Sequence, residues 1–231
     1  MRRPLYFRAI RKVFLIATRP IRDYQTSQAV RRLQNSHPDT LDYPHYLRVQ
    51  IQQTRGKTRK YASERLVPSV ELVQQHCTDL SPDSPILCIG SRNEIELNIF
   101  EERNFQNVTA IDLWSSSPRI VSQDMHQMQF KDDSFNLIFA SHVFEHAYDF
   151  ERVAHECTRV LKDGGYIFCA VPTNYDTGEF DRHDFKDPEG LLSHFAPHVD
   201  RVIVQDVRTD EMVLLFTLKK QASAEQAGQT E

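Results

Sequence analysis

The sequence predicts an α/β protein: a Rossmann-like, seven-stranded, mostly parallel sheet with a C-terminal antiparallel hairpin strand and an N-terminal helical extension. Three observations predict it. From residue 86 onward, short apolar runs that end at Gly, Asp or Pro alternate with amphipathic segments, the pattern of buried parallel strands and their covering helices. The last two runs, Val199 to Asp206 and Glu211 to Leu218, are joined by only Val207 to Asp210, too short for anything but an antiparallel hairpin. The charge is divided. Residues 1–65 hold 15 Lys and Arg against 4 acids, yet the whole 231-residue chain has a net charge of −4, so an acidic domain follows a basic extension.

Each element has its own warrant. Met1 to Arg22 carries seven basic residues and no acid, with Leu5, Tyr6, Ala9, Val13 and Ile16 at helical spacings. Prolines 38 and 44 interrupt the next stretch, and Tyr46 to Thr54 is expected to be helical. Arg55 to Lys60 is a basic turn whose Gly56-Lys57-Thr58 lacks the first glycine of a phosphate loop. Ser63 to Cys77 is a helix with Leu66, Val70 and Val73 on one side and Pro68 within it. Ile86 to Ile89 is the first strand, and Asn93 to Asn104 the next helix, with Asn93 as its N-cap. Val108 to Ile111, Arg119 to Val121, Phe135 to Ala140 and Tyr166 to Val171 supply four further strands. Phe150 to Leu161 is a helix closed by Gly164-Gly165, and Asp187 to Phe195 one that starts with Pro188. Only seven residues, Leu113 to Arg119, connect the second strand to the third. A crossover needs about ten to twelve, so a full helix is excluded and one face of the sheet is thinly covered.

The domain boundaries expected are 1–62 for the basic extension, 63–220 for the α/β domain and 221–231 for a disordered tail. With 40% hydrophobic and 26% charged residues the chain is not wholly disordered. No apolar stretch approaches the ~20 residues of a membrane span. The four cysteines form no CxxC pair, and Cys88 and Cys169 sit inside apolar runs. Reduced, buried thiols in a cytoplasmic protein are expected. The extension's charge fits its own acidic domain, an acidic partner or an anionic membrane surface. The acidic core disfavours a broad nucleic-acid surface, although the arm keeps RNA open.

In a sheet of this kind, ligands bind beyond the carboxyl ends of the strands where strand order reverses. The residues expected there include Gly90, Ser91, Arg92, Asp112, Asp124, Ser141 and His142. Gly90 allows close backbone approach to a ligand. Asp112, 22 residues after Gly90, can accept hydrogen bonds from two adjacent ribose hydroxyls.

These motifs resemble the class I S-adenosylmethionine-dependent methyltransferases over about residues 63 to 218. Ile86 to Glu94 resembles motif I, and Val108 to Asp112 the acid-ended motif II. Asp124-Met125 with Phe130 to Ile138 resembles the region that frames the adenine. Ser141 to His146 and the run Glu156 to Gly165, with Arg159-Val160-Leu161-Lys162 and two glycines, resemble the later motifs. The resemblance implies S-adenosyl-L-methionine as cofactor and a small-molecule or sugar-like acceptor. It implies cofactor contacts from Gly90, Arg92, Asp112, Leu113, Asp124, Met125 and Ser141. Asp112 would hold the ribose, Asp124 the adenine amino group, and Met125 would pack on the ring. His142 and His183 are the candidate bases. The chain departs from the pattern at Cys88, where the family has an acid, and at Arg92 and Glu94, where it has glycines. Glu94 or Glu96 can replace the acid, and Arg92 can pair with the cofactor's carboxylate. A non-catalytic relative with a vestigial pocket is the alternative. Glu145-His146 also resembles metal-dependent relatives, the small-RNA 3′-end 2′-O-methyltransferases among them, but His142 stands where their first acid stands, and no metal is assigned.

Overall fold

A computed structural model describes Val30 and residues 42–56, 62–174, 177–178 and 180–220. The basic arm of residues 1–22 and the tail from 221 lie outside the described residues.

Two helices come first: α1 (Tyr43–Gly56) and α2 (Ala62–His76). Then follow β1 (Ile86–Ile89), α3 (Ile95–Glu102), β2 (Val108–Asp112), β3 (Ile120–Ser122) and β4 (Phe135–Ser141). A 3₁₀ turn (Phe144–His146), α4 (Phe150–Val160), β5 (Leu161–Pro172), α5 (Pro188–Ser193), β6 (Val199–Val207) and β7 (Glu211–Leu218) complete the chain. The seven strands form one sheet in the order β3-β2-β1-β4-β5-β7-β6. The first five run parallel, and β7 is antiparallel to both β5 and β6. Strand order reverses at β1, which lies between β2 and β4.

Alternation along the strands divides the core into two layers. Leu87, Ile89, Ile111, Ile138, Ala140, Ile167 and Cys169 face α4 and α5. Ile86, Cys88, Ala110, Leu137, Phe139 and Phe168 face α2 and α3, where Leu66, Val70 and Val73 meet Leu97 and Phe100. All four cysteines are buried and unpaired with one another, as their apolar settings imply.

Local chemistry sets most element ends. The Asp149 side chain accepts from the Arg152 N–H and starts α4, and Asp187 accepts from Gly190 N–H before Pro188 starts α5. Several boundaries differ from expectation, and α1 starts at Tyr43, with Pro44 taken into its first turn, where no intrahelical N–H donor is required. Asn93 Oδ1 accepts from Ile95 N–H, but Glu94 is the N-cap of α3 and caps nothing with its side chain. β5 begins at Leu161, before the glycine pair, because Leu161 turns extended directly after α4 and pairs with Phe135. Lys162 to Gly165 are then an excursion within the strand, with Gly164 at φ +73°.

Arg159 holds the chain before β4 onto α4. Its guanidinium donates to both Glu156 carboxylate oxygens, to the carbonyls of Met128 and Phe130, and to Asp132. Glu156 in turn accepts from Met128 N–H at 2.6 Å. Arg159→Ala leaves Glu156, 8% exposed, without its cation. The expected cost is about 2–4 kcal/mol, read as a lower urea midpoint with unchanged slope.

Candidate active site

Every strand that reaches the switch point brings a distinctive residue to its carboxyl end. The chain leaves β1 through Gly90 at φ +80°, whose N–H donates to Ile111 O at 2.8 Å. A Cβ on Gly90 would lie 2.5 Å from Val143 Cγ2. Only glycine permits both the left-handed turn and this approach. β2 ends at Asp112, whose carboxylate accepts from Trp114 N–H at 3.0 Å. β4 ends at Ser141, and His142 follows at φ +51°, an uncommon conformation for a residue with a Cβ. Its N–H donates to Ala170 O at 2.8 Å.

Between these strand ends lies an open cleft. Gly90, Arg92, Asp112, Leu113, Asp124, Met125 and His142 line it, together with Ile89, Ile111 and Val143. Of the residues singled out in the sequence for this site, Ser91, Ser141 and His183 are not among the lining residues. Ser141 pairs with Ala170 within the sheet. His183 packs on the rings of Phe150 and Phe185, and burial there lowers its tendency to be protonated.

Four lining residues come from α1: Tyr46, Gln50, Gln53 and Thr54. This helix packs against the short β2–β3 connection and against Tyr148. Tyr43, Tyr46, Leu47 and Ile51 pack with Leu113, Trp114 and Tyr148. Arg55 sits over the Trp114 ring at 4.8 Å, and Gln50 donates to Phe180 O at 2.9 Å. The Tyr43 hydroxyl, fully buried, donates to Asp124 Oδ2. Asp124 Oδ1 accepts from the backbone N–H of His126 and lies 2.6 Å from its Nδ1. His126 Nε2 accepts from Tyr148 N–H at 2.9 Å. That assignment puts the imidazole proton on Nδ1, facing Asp124.

The cleft's carboxyl groups divide by the donors they have. Hydrogen bonds from His126 and Tyr43 outweigh burial and hold Asp124 below the usual carboxylate range. Burial raises Asp112 to about 6, against the opposing pull of Trp114 N–H and Arg92. Glu96 is raised by burial to about 7, with Asp112 adding to the shift and Arg92 opposing it. Glu94 faces elsewhere, toward Ser117 and Arg119. Arg92 thus lies near two carboxyl groups, and its buried Nε makes no hydrogen bond. Cys88 is fully buried in the sheet between Ala110 and Phe139, and burial pushes its thiol up.

Three potential metal-ligand atoms, from Glu145, His146 and Asp181, lie within 4.8 Å of one another. His146 Nδ1 is 2.8 Å from Asp181, so a hydrogen-bonded pair accounts for this geometry without an ion. Among the described residues no helix is long and apolar enough to cross a membrane.

Sequence reasoning did not select Tyr43, Tyr46, Gln50, His126 or Glu211. For His126 a signal existed, since it lies two residues after Asp124 and a histidine can bond to a carboxylate at that spacing. The tyrosines of α1 read as ordinary apolar residues of an extension.

A seven-stranded sheet with β7 reversed, and a cleft whose acid ends β2 beside a glycine turn after β1, define the class I S-adenosylmethionine-dependent methyltransferase fold. Residues 87–169 match the family model described as a methyltransferase domain. No curated protein matches the sequence significantly. Among solved structures, the 1,6-didemethyltoxoflavin-N1-methyltransferase of Burkholderia thailandensis, with bound 1,6-didemethyltoxoflavin and S-adenosylhomocysteine, is similar. Its TM-score is 0.60 at 14% identity, over 78% of this chain and 90% of that one. The [4+2]-cyclase SpnF gives 0.56 at 14%, over 71% and 85%. The PH0226 protein of Pyrococcus horikoshii gives 0.56 at 12%, over 71% and 93%. At such identities the likeness is one of fold, and a cyclase among these structures illustrates that fold does not fix chemistry.

Tyr43→Phe tests the α1 contact without changing its apolar packing. Losing the hydroxyl removes a donor from a buried carboxylate, with an expected cost of about 1.5–3 kcal/mol. Chemical denaturation of both proteins checks it. No change would mean that the hydroxyl does not support Asp124.

Proposed function

We propose that this protein transfers a methyl group from S-adenosyl-L-methionine to a small-molecule acceptor, with the cofactor in the cleft between α1 and the carboxyl ends of β1, β2 and β4. The observation that carries the reading is the Asp112 carboxylate, set inside the cleft at the switch point beside the left-handed turn of Gly90. The donor set suits the group. Asp112 accepts from the ribose hydroxyls, and Ile111, Leu113 and Met125 offer apolar surface to the adenine. Asp124, kept ionised by Tyr43 and His126, has lone-pair capacity left for the amino group. Arg92 supplies the cation for the cofactor carboxylate, and Gly90 and Ser141 are the strand ends at which backbone approaches the ligand. The Burkholderia thailandensis 1,6-didemethyltoxoflavin-N1-methyltransferase, similar in fold and bound to 1,6-didemethyltoxoflavin and S-adenosylhomocysteine, supports the small-molecule acceptor.

When bound, the cofactor supplies a methyl carbon on a positively charged sulfur; the acceptor's electron pair forms the new bond as the carbon–sulfur pair returns to sulfur, which leaves as a neutral thioether. Little acid–base chemistry is required beyond alignment. An alcohol or ammonium acceptor must lose a proton, and His142 in the cleft wall is placed to receive it. Closure by α1 through Tyr46 and Gln50 excludes water from the reacting groups.

Calorimetric titration with S-adenosylhomocysteine tests the reading; a vestigial pocket predicts no heat of binding. Asp112→Ala is expected to weaken binding by about 1.5–3 kcal/mol with the fold intact. Equal affinity would remove the ribose assignment. Because the Asp112 pKa is raised to about 6, the carboxylate that accepts from the hydroxyls is lost as pH falls through 6. Affinity is therefore expected to fall below pH 6, by up to about tenfold per unit, and Asp112→Asn should flatten that dependence.

Arg92→Gly restores the family glycine. If Arg92 grips the cofactor carboxylate, binding weakens by about 1.5–3 kcal/mol; tighter binding by the variant would show that the arginine obstructs the pocket.

A further inference from the structure

We infer that Glu211 is a positioning residue for His142, fixing from the first position of β7 which imidazole nitrogen carries the proton. The inference rests on the reading of His142 as proton acceptor and adds a partner brought 69 positions along the chain by the C-terminal hairpin. His142 Nε2 lies 2.8 Å from Glu211 Oε1, and the two side chains are only 22% and 18% exposed. Neither can swing freely. The His142 backbone is fixed at positive φ and tied to β5 through Ala170 O. The Glu211 backbone is paired with Pro172 in the β5–β7 ladder.

Arg65 Nη1 also lies 3.2 Å from His142 Nε2. The two neighbours make opposite demands: Arg65 can only donate, so it needs a lone pair on Nε2, whereas an ionised Glu211 needs a proton there. Glu211 is closer, and it is anionic. The His142 hydrogen bond, then Arg208 and Arg65, hold its carboxyl below the usual range despite burial. Arg208 Nη1 is 3.8 Å from Glu211 Oε2. The consistent arrangement therefore has Nε2–H donating to Glu211, with both arginines serving as cations around that carboxylate.

The lone pair is then on Nδ1. This atom lies 3.8 Å from Oε1 of Glu145, in the 3₁₀ turn after β4. That is too long for a hydrogen bond. An acceptor O–H or N–H entering there gives its proton to Nδ1 as its own electron pair forms the bond to the methyl carbon. Nε2–H stays in place, so the imidazole becomes imidazolium between the carboxylates of Glu211 and Glu145, and the acceptor carries away one methyl in exchange for one proton. A carboxylate behind a base that sets its tautomer and stabilises the charge it acquires is a general device of proton-transfer sites.

The test needs no acceptor. Protein labelled with [¹⁵N]histidine is studied by two-bond ¹H–¹⁵N correlation at about pH 8, where an ordinary histidine is neutral. The His142 signals are assigned by their loss in His142→Asn. The expected result is the Nε2–H tautomer in the wild-type protein and a mixture of both tautomers in Glu211→Gln, whose amide can donate as well as accept. A wild-type His142 in the Nδ1–H form, or a Glu211→Gln spectrum identical to wild type, overturns the inference. Should Glu211→Gln fail to fold, Glu211→Asp keeps the charge but shortens the reach, and loss of the single tautomer is expected there too. Titration of the same samples with S-adenosylhomocysteine separates the two readings. Unchanged affinity in Glu211→Gln is expected, whereas a wild-type protein that shows the Nε2–H tautomer but binds no S-adenosylhomocysteine leaves the pair standing and removes the methyl-transfer reading.

Discussion

Seven residues between β2 and β3 are too few for a crossover helix, and much of the site follows from that shortage. A sheet face without its helix exposes Leu113 and the strand end at Asp112 to water. α1 supplies the missing cover from a distant part of the sequence, packing Tyr43, Tyr46, Leu47 and Ile51 on Leu113, Trp114 and Tyr148. Because the cover comes from outside the β–α alternation, it also crosses the cleft mouth, and Tyr46, Gln50, Gln53 and Thr54 become its wall. A crossover helix would lie along its strands and end at the cleft's rim. α1 reaches over the opening, touching the β2–β3 loop through Arg55, the chain before β4 through Tyr43, and the segment before α5 through Gln50. Three loops from three strand ends are thereby tied to one rigid element.

What the sequence made legible was what depends on short range. The five parallel strands and the hairpin could be read because burial on both faces makes strands continuously apolar and turns mark their ends. Gly90, Asp112 and His142 could be placed for the same reason: they are the residues on which those apolar runs stop. The β5 boundary was misplaced because a glycine pair is an ordinary stop signal, and nothing local shows that Leu161 already pairs with Phe135. Tyr43 and Glu211 could not be found in this way. Each acts on a residue across the fold, Tyr43 on Asp124 and Glu211 on His142, and no periodicity encodes such a meeting.

The departure at Cys88 also has a spatial answer. A carboxylate at that position would be fully enclosed between Ala110 and Phe139, a costly place for a charge. The thiol there is inert, since burial keeps it protonated. Of the two glutamates near by, Glu94 braces the short loop through Ser117 and Arg119. Glu96 is the one that interacts electrostatically with Asp112, Arg92 and Cys88. A titratable carboxyl group thus stands near motif I in the first turn of α3, where the strand itself carries a thiol.

The acids in and around the cleft thus fall into two kinds. Asp124 and Glu211 have their donors built in, from Tyr43 and His126 in one case and from His142 in the other. They are ionised well below neutrality and fix the positions of other groups. Asp112 and Glu96 have fewer donors, and burial raises their pKa values to about 6 and about 7. Under the proposed function, a ligand with adjacent hydroxyls would supply to Asp112 hydrogen bonds that the protein does not. Such binding would lower the pKa of Asp112 and release the fraction of a proton it carries near neutrality. The same argument explains why Arg92 leaves its Nε unbonded while lying near two carboxyl groups: a guanidinium already spent on full pairing with Asp112 would hold that carboxylate ionised and leave less of its hydrogen-bonding capacity for a ligand. An acid left short of donors is thermodynamically poor for the fold alone, and its place at the end of β2 makes sense as capacity kept for a ligand.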